Sequence, residues 1–215
     1  MKLIHSAYVP SGDGPFPTVL ALHGWGANAL DLLGLAPLLG AGRILTLCPQ
    51  GPVPVPVGPG AEGYGWFPLV PGTPPNPVEF ARASMTLRGF LDDALRRYPI
   101  DLRRLVVAGF SQGGGMAYDL ALREPQKFRG LAALSSWLPG PLADNIPKQD
   151  AARDLAALVI HGTQDPLVDI ARGRESRDNL QAFGVKLSYH EFPMGHEIRP
   201  DALRAIVQWL DQVLA

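Results

Sequence analysis

The chain alternates short apolar runs with longer segments in which apolar residues recur at helical spacing. The runs predict buried strands, and the longer segments predict amphipathic helices. Strands are predicted over residues 3–9 (an edge strand), 18–22, 43–48, 105–110, 130–135, 158–161 and 185–192. Helices are predicted over residues 78–98, 112–123, 172–183 and 200–214. Strands separated by helix-length crossovers indicate the α/β class, with a mostly parallel sheet and helices on both faces.

One segment, residues 49–77, departs from this alternation. It holds 10 of the chain's 22 prolines, 6 glycines and a single charged residue, Glu62. Proline disfavours both a helix and an internal strand, so the sequence predicts a long loop. Its apolar side chains form either a substrate wall or a structural cover for the core, and the sequence leaves both open. These side chains are Val53, Val55, Val57, Tyr64, Trp66, Phe67, Leu69 and Val70.

Length and composition narrow the class of protein. The 215 residues fit one domain, residues 1–215, and 47% hydrophobic with 18% charged residues is typical of a soluble globular chain. The net charge of −1 gives no reason to expect a nucleic-acid partner. The single cysteine, Cys48, excludes an internal disulfide. No apolar run approaches a membrane span or the core of a signal peptide, so we expect a cytoplasmic protein without stable membrane insertion.

The sequence Gly109-Phe110-Ser111-Gln112-Gly113 carries the strongest chemical signal. It lies between a predicted strand and a predicted helix, which is the context of the nucleophile elbow of α/β-hydrolases. The serine would lie at the helix N-terminus, where free backbone N–H groups can stabilise an oxyanion. A glycine-rich turn with an incidental serine is the alternative.

A serine nucleophile needs a base and an acid that orients the base, and in this fold they follow in the order acid, then histidine. Asp165 comes after the strand at residues 158–161 and is the predicted acid. Asp169 is the second choice, although it better fits the cap of the next helix. His196 follows the last strand, where the base belongs. The other histidines, which lie on or at the ends of strands, are His5, His23, His161 and His190.

The oxyanion hole requires two backbone donors. Gln112, the residue after the serine, supplies the first. The loop after an early strand, Leu22-His23-Gly24-Trp25-Gly26, supplies the second, which we assign to the N–H of Trp25.

Several motifs together resemble the phospholipase/carboxylesterase family, which includes small bacterial carboxylesterases and acyl-protein thioesterases. They are Leu22-His23-Gly24-Trp25-Gly26, Gly109-Phe110-Ser111-Gln112-Gly113-Gly114, Leu134-Ser135-Ser136-Trp137-Leu138-Pro139, His161-Gly162-x-x-Asp165-Pro166 and Gly195-His196. The resemblance implies a compact α/β-hydrolase without a separate lid domain. It assigns Ser111, Asp165 and His196 to a triad and the N–H groups of Trp25 and Gln112 to the oxyanion hole.

The resemblance also implies a substrate. We expect a serine hydrolase that cleaves short- to medium-chain carboxylic esters without a metal or other cofactor, and a homodimer is compatible with this. Acyl-thioester and lysophospholipid hydrolysis are close alternatives, and a non-catalytic small-molecule receptor is a more distant one. Expected substrate contacts are Tyr64, Trp66, Phe67, Leu69, Trp137, Leu138 and Leu167. The family's Trp-Phe pair is often followed by Asp, whereas Pro68 stands here, and the proline-rich segment is unusually long.

Overall fold

The computed structural model describes residues 2–70 and 73–215, which form nine strands and five α-helices. The strands are β1 His5–Tyr8, β2 Phe16–Leu22, β3 Leu45–Pro49, β4 Val53–Gly58, β5 Ala61–Gly65, β6 Ile100–Phe110, β7 Gly130–Leu134, β8 Ala156–Gly162 and β9 Lys186–Phe192. The helices are α1 Pro77–Arg97, α2 Gln112–Arg123, α3 Gly140–Asp144, α4 Ile170–Phe183 and α5 Pro200–Val213. Short 3₁₀ segments occur at Leu33–Gly42, Pro125–Lys127 and Asp150–Asp154. None of the described helices is long and apolar enough to cross a membrane.

Seven strands form one sheet in the order β1-β3-β2-β6-β7-β8-β9. The edge strand β1 pairs antiparallel with β3, and all other pairs are parallel. All strands and helices predicted from the sequence are present, so the α/β class with a mostly parallel sheet is confirmed. Because all strands of this sheet except β1 are parallel, their carboxyl ends meet at one edge of the sheet, where ligands bind in such folds.

The central strands are buried on both faces, as expected where helices cover a parallel sheet. Alternate residues of β6 belong to two separate cores: Leu105 and Val107 face α1, α2 and α4, whereas Val106 faces α5 and the Leu33–Gly42 segment. The layers approach closely at Gly130 in β7, where an added Cβ would lie 2.8 Å from the Trp209 ring. Small residues in the middle strands therefore let helices pack directly on the sheet.

The prediction of a loop throughout residues 49–77 is wrong for its first half. β4 and β5 form a separate two-stranded antiparallel hairpin, with Pro54 opposite Tyr64 and Pro56 opposite Glu62. A two-stranded hairpin has a free edge, and alternate N–H groups point away from the partner strand. Prolines two residues apart are therefore tolerated on it. Pro71 and Gly72 of this segment lie outside the described residues.

A buried carboxylate connects the helix that follows the candidate nucleophile to its neighbour. Asp119 of α2, whose side chain is 2% exposed, accepts hydrogen bonds from Ser84 of α1 and from Arg123 Nε at 2.6 Å. Arg88 of α1 lies 3.5 Å away. The contact between α1 and α2 therefore includes a buried carboxylate whose two oxygens both accept hydrogen bonds.

We predict that Asp119→Ala lowers the free energy of unfolding by about 2–3 kcal/mol, because it leaves two partly buried arginines without their acceptor. Urea titration measures the change. The control is Asp92→Ala, which removes an exposed ion pair with Lys127 and should change stability by less than about 0.5 kcal/mol. Equal effects of the two substitutions would contradict the prediction.

Candidate active site

Ser111 lies in a sharp turn between β6 and α2. Its φ of 53° and ψ of −118° are unusual for a residue with a side chain and cost about 1–3 kcal/mol. Neighbouring glycines allow this turn because the backbones touch. A Cβ on Gly109 would lie 2.2 Å from Gly113 O, and one on Gly113 would lie 2.1 Å from Leu22 O. This geometry is that of the nucleophile elbow, and it argues against a turn with an incidental serine.

Asp165 and His196 meet above the carboxyl ends of β8 and β9. His196 Nδ1 lies 2.8 Å from Asp165 Oδ2. Because a carboxylate oxygen accepts, Nδ1 carries the proton and Nε2 keeps its lone pair. The imidazole also packs on Phe110, the residue before Ser111, with the ring centroids 4.8 Å apart. Within the described residues no hydrogen bond joins the Ser111 hydroxyl to His196, and such bonds often tighten only when substrate binds.

The Asp165 side chain is buried but well supplied with donors. Its Oδ1 accepts the backbone N–H groups of Leu167 and Val168, each at 2.9 Å. Burial raises the pKa of Asp165, but the hydrogen bonds from Val168, His196 and Leu167 outweigh it and hold the pKa below its ordinary value. The carboxylate therefore stays ionised and fixes the His196 ring in one orientation.

His161 holds the loop that contains Asp165 and Val168. Its side chain is fully buried, and Nε2 lies 2.8 Å from Val168 O. A carbonyl oxygen only accepts hydrogen bonds, so Nε2 carries the proton and donates a hydrogen bond to Val168 O. The backbone N–H of the same Val168 donates to Asp165. His161 therefore holds this loop and is not available as the base. Asp169, the second choice for the acid, caps α4 by accepting the N–H of Ala171 at 2.8 Å.

His23 also has a structural contact rather than a free nitrogen. Its Nδ1 lies 2.7 Å from Gly24 O, and its Nε2 accepts the N–H of Gly51 at 2.9 Å. Burial lowers the pKa of His23, which favours this neutral form. The imidazole therefore ties the Gly24 turn to the segment that precedes the hairpin.

The two predicted oxyanion donors belong to segments that adjoin Ser111. Gly24, the residue before Trp25, comes so close that an added Cβ would lie 3.4 Å from Ser111 Cβ. Gln112 is the first residue of α2, so its N–H has no acceptor within the helix. Ser136, which follows β7, also contacts the turn that carries the serine: its hydroxyl donates a hydrogen bond to Ser111 O at 2.7 Å.

The expected substrate contacts separate into buried and accessible residues. Trp66, Phe67 and Leu138 are 1%, 4% and 0% exposed, and Trp66 donates its Nε1–H to His23 O at 2.9 Å. These three side chains are buried in this conformation, so the predicted wall of Tyr64, Trp66, Phe67 and Leu69 and the predicted contact of Leu138 stay predictions. The side chains of Trp66, Phe67 and Leu138 belong to the hydrophobic core that also contains Leu105 and Val107.

Four of the expected contacts keep accessible surface. Leu69 is 40% and Leu167 is 71% exposed, and Leu167 adjoins Asp165. Tyr64 and Trp137 are half-buried. Trp137 donates to Glu175 at 2.7 Å, while the Arg172 guanidinium lies 4.2 Å above its ring. Among these four, Leu167 donates its backbone N–H to Asp165, and Trp137 directly follows Ser136, which contacts Ser111.

The sequence does not indicate two contributions to this site, the Ser136 hydroxyl and the side chain of Gln112. The Gln112 amide accepts the N–H of Trp66 and donates to Phe67 O, both at 2.8 Å. Both residues lie within the sequence motifs described above, but their partners are 25 or more positions away. Within residues 2–70 and 73–215, no group of three or more His, Cys, Asp or Glu is placed to share a metal ion.

The fold and the arrangement of these loops define an α/β-hydrolase. The chain belongs to the Phospholipase/Carboxylesterase family of hydrolases, whose pattern it matches over residues 5–214. The crystal structure of esterase PE8 superposes with a TM-score of 0.86 and 25% identity, and the match covers 100% of both chains.

Two curated relatives are acyl-protein thioesterases 1. The one from Mycosarcoma maydis is 27% identical over 95% of this chain and 94% of its own length. The one from Gibberella zeae is 35% identical, but the match spans 52% of this chain and 48% of that relative. The chain thus aligns with about half the length of one relative and nearly all of the other.

We predict that the stability contribution of Asp165 is lost in acid. A carboxyl with a lowered folded-state pKa stabilises the fold above its unfolded pKa of about 3.9, and the contribution disappears as pH falls through the lower folded pKa. The difference in unfolding free energy between wild type and Asp165→Asn should therefore narrow from pH 5 to pH 3 in urea titrations. Asp169→Asn, on an exposed cap, is the control. A pH-independent difference for Asp165→Asn would contradict the prediction.

Proposed function

We propose that this protein hydrolyses short- to medium-chain carboxylic esters through an acyl-enzyme on Ser111. The observation that carries the proposal is the His196–Asp165 pair at the same end of the sheet as the strained Ser111. The Asp165 carboxylate holds the Nδ1–H of His196, which leaves Nε2 to accept a proton. A serine hydroxyl is a weak nucleophile and needs such a base.

The proposed reaction has two halves. His196 Nε2 takes the Ser111 proton while Oγ bonds to the ester carbonyl carbon, and the resulting oxyanion is bound by the N–H groups of Trp25 and Gln112. The tetrahedral intermediate collapses, its C–O bond to the alcohol breaks, and His196 returns the proton to the alcohol. Water then attacks the acyl-enzyme with His196 again as base, and the acid leaves from Ser111. Asp165 stays ionised throughout and stabilises the imidazolium.

The substrate class is assigned from the relatives and from one exposed side chain near the site. The family description covers phospholipases and carboxylesterases, and two relatives are named acyl-protein thioesterases. The same groups would cleave a thioester, whose leaving thiol needs less assistance. We favour oxygen esters because the match to esterase PE8 covers the whole of both chains. We favour short to medium acyl chains because Leu167, the exposed apolar side chain beside Asp165, offers a limited surface.

We predict that Ser111→Ala lowers kcat for 4-nitrophenyl butyrate at least about 10³-fold, because it removes only the nucleophilic oxygen. A fluorophosphonate should label the wild type and leave Ser111→Ala unlabelled, which also separates an enzyme from a non-catalytic receptor. The matched control, Ser11→Ala on an exposed turn, should keep both activity and labelling. Retention of more than a few per cent of activity in Ser111→Ala would exclude Ser111 as the nucleophile.

We predict that Leu167→Ala lowers kcat/KM more for 4-nitrophenyl octanoate than for the acetate. Each buried methylene of the acyl chain is worth about 0.8 kcal/mol, so losing the contacts of one or two methylenes should reduce kcat/KM for octanoate about 4- to 15-fold. Leu102→Ala is the control, because Leu102 is similarly exposed but lies near the start of β6, away from the site. Equal losses for acetate and octanoate would remove Leu167 from the acyl-binding surface.

A further inference from the structure

The β4–β5 hairpin is joined to the loop that carries Trp25. Gly26 donates its N–H to Tyr64 O at 2.9 Å, and Tyr64 donates its N–H to Ala27 O at 2.7 Å. The two segments thus form an antiparallel bridge. The Trp25 loop is in effect a third strand of the small hairpin sheet, although it begins at the carboxyl end of β2 in the main sheet.

Two glycines on β5 permit this close contact. A Cβ on Gly63 would lie 1.9 Å from Gly26 O, and one on Gly65 would lie 2.2 Å from Cε3 of the Trp25 ring. Residues two apart on a strand present the same face, so Gly63 and Gly65 together form the bare surface on which the loop rests. A side chain at either position would push the loop, and with it the Trp25 N–H, away from the hairpin.

The residues that follow β5 hold the second donor. The Gln112 side chain, which is buried, accepts the Trp66 N–H and donates to Phe67 O, each at 2.8 Å. The Trp66 ring nitrogen donates to His23 O at 2.9 Å and so reaches back to the first loop. One continuous stretch, residues 63–67, therefore contacts both residues whose N–H groups are the proposed oxyanion donors. We name it the bracing segment.

We propose that the bracing segment is a positioning element that fixes the distance between the Trp25 and Gln112 amides. The inference rests on the proposed function, because it assigns a role within that oxyanion hole. Donors stabilise a developing oxyanion only when they are already aimed at its position, and a displaced donor loses most of its effect. The segment contains no charged side chain, so it acts by contact and not by its own field.

The primary test is Gly65→Ala, assayed with 4-nitrophenyl butyrate. The new methyl group should displace the Trp25 ring and lower kcat at least about 10-fold, toward the 10²–10³-fold loss expected for one missing oxyanion donor. KM should stay within about threefold, and the pH profile should keep its shape because the contact between Asp165 and His196 is untouched. A folded Gly65→Ala with kcat within twofold of wild type would overturn the inference.

The control lies in the same hairpin. Gly60, in the β4–β5 turn, has a φ of +72° and open space around it, and asparagine tolerates that conformation. Gly60→Asn should therefore leave kcat and KM unchanged. A loss of kcat in Gly60→Asn as large as that in Gly65→Ala would show a general effect of hairpin stability and would also overturn the inference.

A double-mutant cycle tests the route through Trp25. Trp25→Ala keeps the backbone N–H and removes the ring that the added methyl group would strike. In that background, Gly65→Ala should cost less than about threefold in kcat, whereas equal losses in both backgrounds would overturn the proposed route. If Gly65→Ala does not fold, Gln112→Leu tests the second arm: it keeps the N–H but loses both contacts to residues 66 and 67. Its kcat should fall at least about 10-fold, and an unchanged kcat would overturn the inference.

The two proposals can fail separately. Absence of Ser111-dependent ester hydrolysis in the wild type would remove the proposed function together with this inference. Ser111-dependent hydrolysis in the wild type, combined with an unimpaired Gly65→Ala, would leave the function standing and remove only the bracing role.

Discussion

The packing of three backbone segments against one another, without side chains between them, is the constraint on which the site depends. β2, the β6–α2 turn and the first turn of α2 touch at Gly109 and Gly113, where any Cβ would fall within 2.2 Å of a carbonyl oxygen. This contact holds Ser111 at a φ of 53°, which costs free energy that the surrounding core must supply. The core is large enough, because nearly every residue of α2 is buried. The strained conformation of Ser111, which is half-buried, therefore depends on the packing of the sheet's interior.

The remaining groups lie at the same end of the sheet as Ser111, because the parallel strands that precede them end at one edge. β7 delivers Ser136, β8 delivers Asp165 and β9 delivers His196. Hydrogen bonds to the Asp165 carboxylate orient the His196 ring. Backbone N–H groups donate to one carboxylate oxygen, the Nδ1–H of His196 donates to the other, and Nε2 is left without a partner in this set. The buried His161 continues this series of hydrogen bonds by donating to Val168 O. An ionised carboxylate is acceptable here because each of its oxygens has a donor.

Sequence reasoning succeeded where the signal is local. Apolar runs and helical spacing gave the seven strands of the main sheet and the four longer helices, and the glycine spacing around Ser111 gave the turn. It failed for β4, because Pro54 and Pro56 normally indicate a loop and the compatible free edge exists only once β5 is paired with it. The sequence also does not show that Trp66 is buried, because this burial depends on contacts with His23 and Gln112, residues more than 40 positions away. Such contacts leave no periodic trace in the chain.

The composition of the hairpin follows from two opposing demands on chain entropy. Contact with the Trp25 loop requires bare backbone at Gly63 and Gly65, and each glycine in a strand costs about 0.5–1 kcal/mol because the unfolded chain has more freedom to lose. A two-stranded hairpin alone is marginal, so this cost needs compensation. Pro54 and Pro56 on the opposite strand restrict the unfolded chain, and each compatible proline contributes about 0.4–1 kcal/mol. Proline on β4 therefore offsets glycine on β5, and the hairpin keeps a surface smooth enough to lie against the active-site loop.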